Sequence, residues 1–121
     1  MSKTILYVDD EEINLMLFDL NFKNKFNIIT AMSARQGLKI LKEHTVVSVV
    51  ISDMRMPEMN GIEFIKKAKE NYPGINYFIL TGYDINKEIS SALQSGLINA
   101  YFKKPFNISE IESSINEIIK D

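Results

Sequence analysis

Five polar side chains in this sequence have the types that metal and phosphate chemistry requires. They are Asp9, Asp10, Asp53, Thr81 and Lys104. Three carboxylates that lie close together repel one another, and a hard divalent cation relieves that repulsion. Mg2+ prefers oxygen ligands, a few of them carboxylates, and commonly binds beside phosphate. A hydroxyl and an ammonium group can bind phosphate oxygens, and an Asp carboxylate can itself be the nucleophile that becomes phosphorylated.

The residues before Asp53 indicate how such a group would be positioned. Residues 49–51 form a short apolar run, which is typical of a strand buried on both faces. A loop with Pro57 and the pair Asn60-Gly61 follows, and a helical pattern begins after it. An acid at the carboxyl end of a buried parallel strand stands at the edge where open α/β sheets bind ligands.

The rest of the chain alternates in the same way. Hydrophobic patterns predict strands over residues 4–8, 26–31, 46–52, 75–80 and 99–102. They predict helices over residues 11–23, 33–44, 61–72 and 84–95, and from 107 or 109 to the C-terminus. Five strand-helix units with short connections predict a parallel sheet with right-handed crossovers and helices on both faces. All five polar side chains would then converge at one edge of the sheet.

Several helix ends are predicted from capping residues. Ser33 and Asp84 are predicted N-caps, and Gly96 stands in the usual place after a helix C-terminus. Ser109 and Glu112 have the spacing of a capping box, although Asn107 offers an earlier start for the last helix.

Length and composition exclude several classes of protein. The 121 residues suffice for one domain, and 45% hydrophobic with 25% charged residues is ordinary for a globular protein. A net charge of -2 provides no basic surface for nucleic acid. Without cysteine there are no disulfides or thiolate metal sites. The sequence shows no signal-peptide pattern and no apolar run of membrane-spanning length, so a cytoplasmic location without a membrane partner is expected.

Four motifs together resemble the receiver domain of two-component response regulators, of the chemotaxis-regulator kind. They are Asp9-Asp10, the segment Asp-Met-Arg-Met-Pro-Glu-Met-Asn-Gly over 53–61, Thr81-Gly82, and Tyr-Phe-Lys-Lys-Pro-Phe over 101–106. The resemblance covers essentially the whole chain. It implies a flavodoxin-like, doubly wound (βα)5 fold with a five-stranded parallel sheet in the order 2-1-3-4-5. It also implies a single receiver domain over residues 1–121.

The resemblance assigns roles to individual residues. By it, Asp53 is the phosphoacceptor and acts with Thr81 and Lys104 in phosphoryl transfer. The implied Mg2+ ligands are Asp9, Asp10, Asp53 and the backbone carbonyl of Arg55. Thr81 and Tyr101 are the implied switch residues, and the bond between Lys104 and Pro105 is expected to be cis.

The implied function is a switch in a phosphorelay. A sensor histidine kinase or a histidine phosphotransfer protein would donate the phosphoryl group in a Mg2+-dependent reaction. The surface of helix 4, strand 5 and helix 5 would then change for an output protein or an effector domain outside this chain. A homodimer that forms on phosphorylation is a further alternative. The domain would catalyse only its own phosphorylation and dephosphorylation. The first helix is apolar over residues 15–18. Most of this segment is predicted to be core, and the resemblance implies that part of it docks the kinase.

Each motif also has a simpler interpretation, and other functions compete. Acids at 9–12 suit any helix N-terminus, and Lys103 is predicted to be a solubilising charge.

A haloacid-dehalogenase-like phosphatase would need a second Asp where Arg55 stands. A flavodoxin-like electron carrier would need a phosphate-binding loop where Asp9 and Asp10 would repel phosphate. A pseudo-receiver that only binds partners would not need the complete set of acids, threonine and lysine.

Two large residues lie beside the predicted site. Arg55 stands two residues after Asp53, and Tyr83 stands two residues after Thr81. In the family these positions flank the phosphoryl group. We expect the two side chains to hinder the attacking water and to make autodephosphorylation slow.

Overall fold

Five strands and five helices alternate along the part of the chain that the computed structural model describes, residues 3–43 and 46–119. They are β1 Thr4–Val8, α1 Glu12–Phe22, β2 Asn27–Ala31, α2 Ala34–Glu43, β3 Val47–Ser52, α3 Gly61–Asn71, β4 Asn76–Thr81, α4 Lys87–Ser95, β5 Ala100–Lys103 and α5 Ile108–Ile118. The predicted end of the second helix at His44 and the last two residues lie outside the described ranges. Within those ranges, no helix has the length and apolar character needed to cross a membrane.

The five strands form one parallel sheet in the order β2-β1-β3-β4-β5, which confirms the predicted fold. From β1 the chain moves to β2 on one side of β1. It then crosses to β3 on the other side of β1 and continues outward to β4 and β5. The gap between β1 and β3 is therefore the switch point of this doubly wound sheet, where ligands commonly bind. Val8 at the end of β1 pairs with Ser52 at the end of β3, so the residues that follow them are neighbours.

Both faces of the sheet are covered by a hydrophobic core. On one face, strand residues pack with α1 and α5; examples from these elements are Ile5, Tyr7, Phe78, Phe18 and Ile111. On the other face, strand residues pack with α2, α3 and α4; examples are Leu6, Val50, Leu41, Phe64 and Ile89. Each fully buried large apolar side chain contributes about 1.5–3 kcal/mol, so the strand ends are held by a rigid scaffold.

Helix α1 carries two apolar stripes, one of which is buried and the other exposed to solvent. Leu15, Phe18 and Phe22 are buried against the sheet. The other stripe faces solvent, with Ile13, Met16, Leu17 and Leu20 each more than 40% exposed. The prediction that most of residues 15–18 is core is therefore only half right, since Leu15 and Phe18 are buried and Met16 and Leu17 are exposed.

Helix capping follows the prediction at some ends and differs at others. The Ser33 hydroxyl accepts a hydrogen bond from the Gln36 N–H at 3.0 Å, and Gly96 has a φ of 80°, so both predictions are confirmed. The prediction for Asp84 is wrong because its carboxylate pairs with Lys103. Asn86 caps α4 instead, since its side chain accepts from the Ile89 N–H at 2.8 Å.

The last helix starts at the earlier of its two predicted positions. Asn107 is its N-cap and accepts a hydrogen bond from the Glu110 N–H at 2.9 Å. The capping box of Ser109 and Glu112 is wrong because Ser109 already lies in the first helical turn. A complete capping box occurs instead at α3, where the side chains of Asn60 and Glu63 each accept from the other residue's N–H.

Candidate functional site

Three carboxylates meet at the switch point of the sheet. Asp9 and Asp10 follow β1, Asp53 follows β3, and one oxygen of each lies within 4.8 Å of the others. Asp9 and Asp53 are buried, and Asp10 is partly buried. The structure thus brings together the acids that the sequence placed at one edge.

The Asp9 carboxylate is held by three donors. Its Oδ1 accepts from the Glu11 N–H at 3.0 Å. Its Oδ2 accepts from the Tyr7 hydroxyl at 2.6 Å and from Lys104 Nζ at 2.7 Å. Sequence reasoning did not include Tyr7 in the site. The available signal was its position two residues before Asp9, because alternate residues of a strand point to the same side.

Lys104 reaches both buried acids. Its Nζ lies 2.7 Å from Asp9 Oδ2 and 3.6 Å from Asp53 Oδ2. Its backbone N–H donates to the Thr81 carbonyl at 2.7 Å, which ties the end of β5 to β4. The peptide bond to Pro105 is cis, as expected. Lys103, in contrast, is exposed and pairs with Asp84.

The electrostatics of the site shift the pKa of two groups. Burial raises the pKa of Asp53 to about 6; Lys104 opposes this rise, whereas the charges of Asp9 and Asp10 add to it. Burial also raises the pKa of Tyr7 far above its ordinary value, and the neighbouring Asp9 adds to the effect. The Tyr7 hydroxyl therefore stays protonated and donates its hydrogen bond at neutral pH.

The donor set fits a hard cation. Three carboxylate oxygens lie within 4.8 Å of one another. Burial is the main cause of the raised pKa of Asp53, and the negative charges of Asp9 and Asp10 add to it. Oxygen donors of this kind suit Mg2+. The predicted contribution of the Arg55 carbonyl stays a prediction.

Thr81 and Tyr83, at the carboxyl end of β4, meet Tyr101 of β5. The buried Thr81 Oγ1 accepts from the Tyr83 N–H at 3.4 Å, and the Tyr101 hydroxyl donates to the Tyr83 carbonyl at 2.6 Å. Both predicted switch residues therefore contact the backbone of one residue. The Tyr83 ring in turn lies under the guanidinium group of Arg55.

Gly61 allows the loop after Asp53 to close tightly. A Cβ atom on Gly61 would lie 2.3 Å from the Asp53 carbonyl oxygen. The Gly61 N–H donates to the Met54 carbonyl at 2.8 Å, and Met54 itself is buried. Only glycine permits this approach, so α3 begins directly against the residue that carries the central carboxylate.

A doubly wound parallel sheet with an acidic cluster, a lysine and a threonine at its switch point defines a class of phosphate- and metal-binding α/β domains. Within this class, the chain belongs to the response regulator receiver domain family, whose family model matches residues 5–116. It is therefore a receiver domain of two-component systems. Receiver domains bind Mg2+ at an acidic cluster such as the one formed here by Asp9, Asp10 and Asp53.

Individual relatives agree with this assignment. Sporulation initiation phosphotransferase F of Bacillus subtilis is 30% identical, with 98% of this chain and 95% of that protein covered. The hydrogenase transcriptional regulatory protein HoxA of Cupriavidus necator is 27% identical over 97% of this chain, which spans only 24% of that regulator. Among solved structures, the signal receiver domain of an HD domain-containing protein from Pseudomonas fluorescens is 27% identical with a TM-score of 0.89, covering 97% of this chain and 94% of that one.

Proposed function

We propose that Asp53 is the phosphoacceptor of this receiver domain and takes its phosphoryl group from a histidine kinase or a histidine phosphotransfer protein. The observation that carries the proposal is the position of Asp53. It is buried at the switch point, its carboxylate lies within 4.8 Å of two other acids, and Lys104 Nζ is 3.6 Å from its Oδ2.

The two oxygens of Asp53 have different roles. Oδ1 accepts the Met54 N–H at 2.8 Å, which fixes the carboxylate. Oδ2 is the attacking oxygen: it forms the new P–O bond while the P–N bond to the donor histidine breaks and the imidazole leaves. Lys104 binds an oxygen of the transferring group, as ammonium groups do in phosphoryl transfer. Mg2+ bound by Asp9, Asp10 and Asp53 would neutralise charge on the same oxygens.

The signal leaves the site through Thr81 and Tyr101. The Thr81 hydroxyl turns toward the new phosphoryl group and gives up its 3.4 Å contact with the Tyr83 N–H. The Tyr101 hydroxyl holds the Tyr83 carbonyl, so a shift of Tyr83 reaches β5 directly. The surface of α4, β5 and α5 then changes for an output partner. The domain catalyses only its own phosphorylation and dephosphorylation.

The exposed stripe of α1 is the docking surface for the phosphodonor. Ile13, Met16, Leu17 and Leu20 line this face, and α1 begins at Glu12, two residues after Asp10. A cavity of about 270 Å³ beside it is lined by Leu17, Lys104 and Phe106 among others. An apolar partner helix that covers this stripe would bring a phosphohistidine close to Asp53. We place the reaction in the cytoplasm, where two-component kinases expose their phosphohistidine.

Acyl-phosphate formation tests the proposal. Wild type and Asp53→Asn are incubated with acetyl phosphate, with and without Mg2+, and the gain of one phosphoryl group is measured by intact mass. Asp84→Asn is the matched control because Asp84 is exposed and pairs with Lys103 outside the cluster. We expect Mg2+-dependent labelling of wild type and Asp84→Asn, and none of Asp53→Asn.

A phosphorylated histidine kinase is the second donor in the same experiment. Labelling of Asp53→Asn equal to that of wild type would contradict the assignment of the phosphoacceptor. A wild type that accepts phosphate from neither donor would contradict the function and favour a domain that only binds partners.

A further inference from the structure

The buried hydroxyl of Tyr7 contacts the acidic cluster from inside the protein. Tyr7 is 1% exposed, and its hydroxyl donates to Asp9 Oδ2 at 2.6 Å. We propose that Tyr7 is a positioning residue for metal binding, which orients the Asp9 carboxylate toward Asp10 and Asp53. The proposal rests on the function proposed above and assigns the residue that prepares its metal site.

The position of this hydroxyl is fixed by aromatic packing. The Tyr7 ring stacks on the ring of Phe18 with 4.2 Å between centroids and 19° between planes. Phe18 in turn contacts Phe22 and Phe106, with centroids 4.5 and 5.8 Å away. Such a cluster leaves the ring little freedom to move. The hydroxyl is therefore a preorganised donor at the base of the acidic site.

Asp9 needs such a donor because it cannot reach water. Its side chain is fully buried, and Oδ2 receives both the Tyr7 hydroxyl and Lys104 Nζ. The ammonium group must turn toward the phosphoryl oxygens during transfer. The Tyr7 hydroxyl then remains on Oδ2 and keeps the carboxylate from losing its last donor at that atom.

A neutral donor suits this place better than a second cation. A hydroxyl stabilises the carboxylate without adding a positive charge that would repel Mg2+. Hydrogen bonds to a ligating carboxylate fix its orientation, and their removal typically costs about 10–100-fold in metal affinity. Tyr7 is placed to supply this interaction for Asp9, as the Glu11 N–H does for the other oxygen at 3.0 Å.

Tyr77 provides a matched comparison within the same sheet. It is also fully buried on a central strand, and its hydroxyl donates to the Tyr72 carbonyl at 2.9 Å. Its acceptor is a backbone oxygen at the opposite end of the sheet from the acids. Removal of either hydroxyl leaves the ring in place, but only Tyr7→Phe removes a donor to the acidic cluster.

Calorimetric titration with Mg2+ tests the proposal on the unphosphorylated protein, without any activity assay. We expect Tyr7→Phe to bind Mg2+ about 10–100-fold more weakly than wild type, and Tyr77→Phe to match wild type. The Glu11 amide resonance supplies a second readout, because this N–H donates to Asp9 Oδ1. It should shift in Tyr7→Phe without metal and stay unchanged in Tyr77→Phe.

Asp9→Asn, which removes one of the proposed metal-binding carboxylates, separates failure of the Tyr7 proposal from failure of the metal site. Suppose that wild type binds Mg2+ and that Asp9→Asn does not. If the Mg2+ affinity of Tyr7→Phe is then less than fivefold weaker than that of Tyr77→Phe, the role of Tyr7 is overturned while the proposed function stands. If wild type itself does not bind Mg2+, the metal site and the role of Tyr7 are both overturned. Weakening by a factor of five or more in Tyr7→Phe alone supports the proposal.

Discussion

The guanidinium carbon of Arg55 lies 4.1 Å from the centre of the Tyr83 ring. This contact joins the loop after β3 to the loop after β4, at the edge of the sheet that carries Asp53. Cation–π pairs at exposed sites contribute about 0.5–1 kcal/mol. The two large side chains expected to hinder water are therefore held against each other, which gives the expectation a physical basis.

Loss of this pair should shorten the lifetime of the phosphorylated protein. In the variant with both Arg55→Ala and Tyr83→Ala, water reaches the phosphoryl group more easily. Because the bulk that hinders the attacking water is gone, we expect autodephosphorylation to become several-fold faster. The decay of phosphorylated protein after donor removal measures it. Tyr83→Phe is the control, since it keeps the ring under Arg55 and should decay like wild type. An unchanged rate in the double variant would count against a shielding role.

Asp53→Asn should stabilise the metal-free protein at neutral pH. The pKa of Asp53 is about 6 in the folded state and near 3.8 in the unfolded chain. Between these values the folded state binds more protons, so stability falls as pH rises from about 4 through 6. A shift of about two units corresponds to on the order of 1–3 kcal/mol at pH 8, a loss that the neutral Asn does not suffer.

Urea unfolding in the presence of a chelator measures this effect. The difference between Asp53→Asn and wild type should be full at pH 8 and should disappear only well below the unfolded pKa of 3.8, where Asp53 is protonated in both states. Asp84→Asn should not show this gain, because Asp84 is exposed and pairs with Lys103. A less stable Asp53→Asn at pH 8 would mean that the carboxylate is better compensated than its burial indicates.

The alternation of strands and helices and the acidic cluster could be predicted because they depend on short-range patterns, whereas the order of the strands followed from the resemblance to receiver domains. Asp9-Asp10, Asp53 and Lys104 follow runs that predict strands, which places them at strand ends. In a parallel sheet the carboxyl ends of the strands lie at one edge, so these residues come together. The two stripes of α1 were not distinguishable, since Leu15 and Leu17 are equally apolar and only the packed sheet decides which one is buried. The role of Tyr7 depends on the direction of its ring, which its stacking on Phe18 determines.

Helix capping is a second case in which a tertiary contact decides between two residues that the sequence makes equally suitable. Asp84 and Asn86 are both good N-cap residues, and the sequence pattern does not choose between them. The choice follows from a tertiary contact, because Lys103 on the neighbouring strand attracts the Asp84 carboxylate. The Asn86 side chain then accepts from the Ile89 N–H.

Gly61→Ala should destabilise the protein and displace Asp53. The added Cβ would meet the Asp53 carbonyl oxygen at 2.3 Å, and a backbone atom cannot turn aside as a side chain can. Overpacking of this kind typically costs about 1–3 kcal/mol. Gly74→Ala is the control, since a Cβ there would have open space. Urea unfolding and acetyl phosphate labelling of both variants measure the effect. Equal behaviour of the two variants would show that the loop adapts easily.

Lys104→Met should impair both phosphorylation and metal-free stability. The buried Asp9 carboxylate would keep only the Tyr7 hydroxyl and the Glu11 N–H as donors. Removing one partner of a buried ion pair costs up to about 3–5 kcal/mol. Labelling by acetyl phosphate should slow by about 100–1000-fold, because a charge that stabilises the transferring oxygens is lost.

Lys103→Met separates the role of Lys104 from a general effect of charge. Lys103 is the neighbouring residue, but its side chain is exposed and pairs with Asp84. We expect Lys103→Met to be labelled at the wild-type rate. Mg2+ should restore more stability to Lys104→Met than to Lys103→Met, because a ligand that binds only the folded state stabilises it and the cluster has lost its own cation. If Mg2+ stabilises both variants equally, Lys104 does not balance the charge of the acidic cluster.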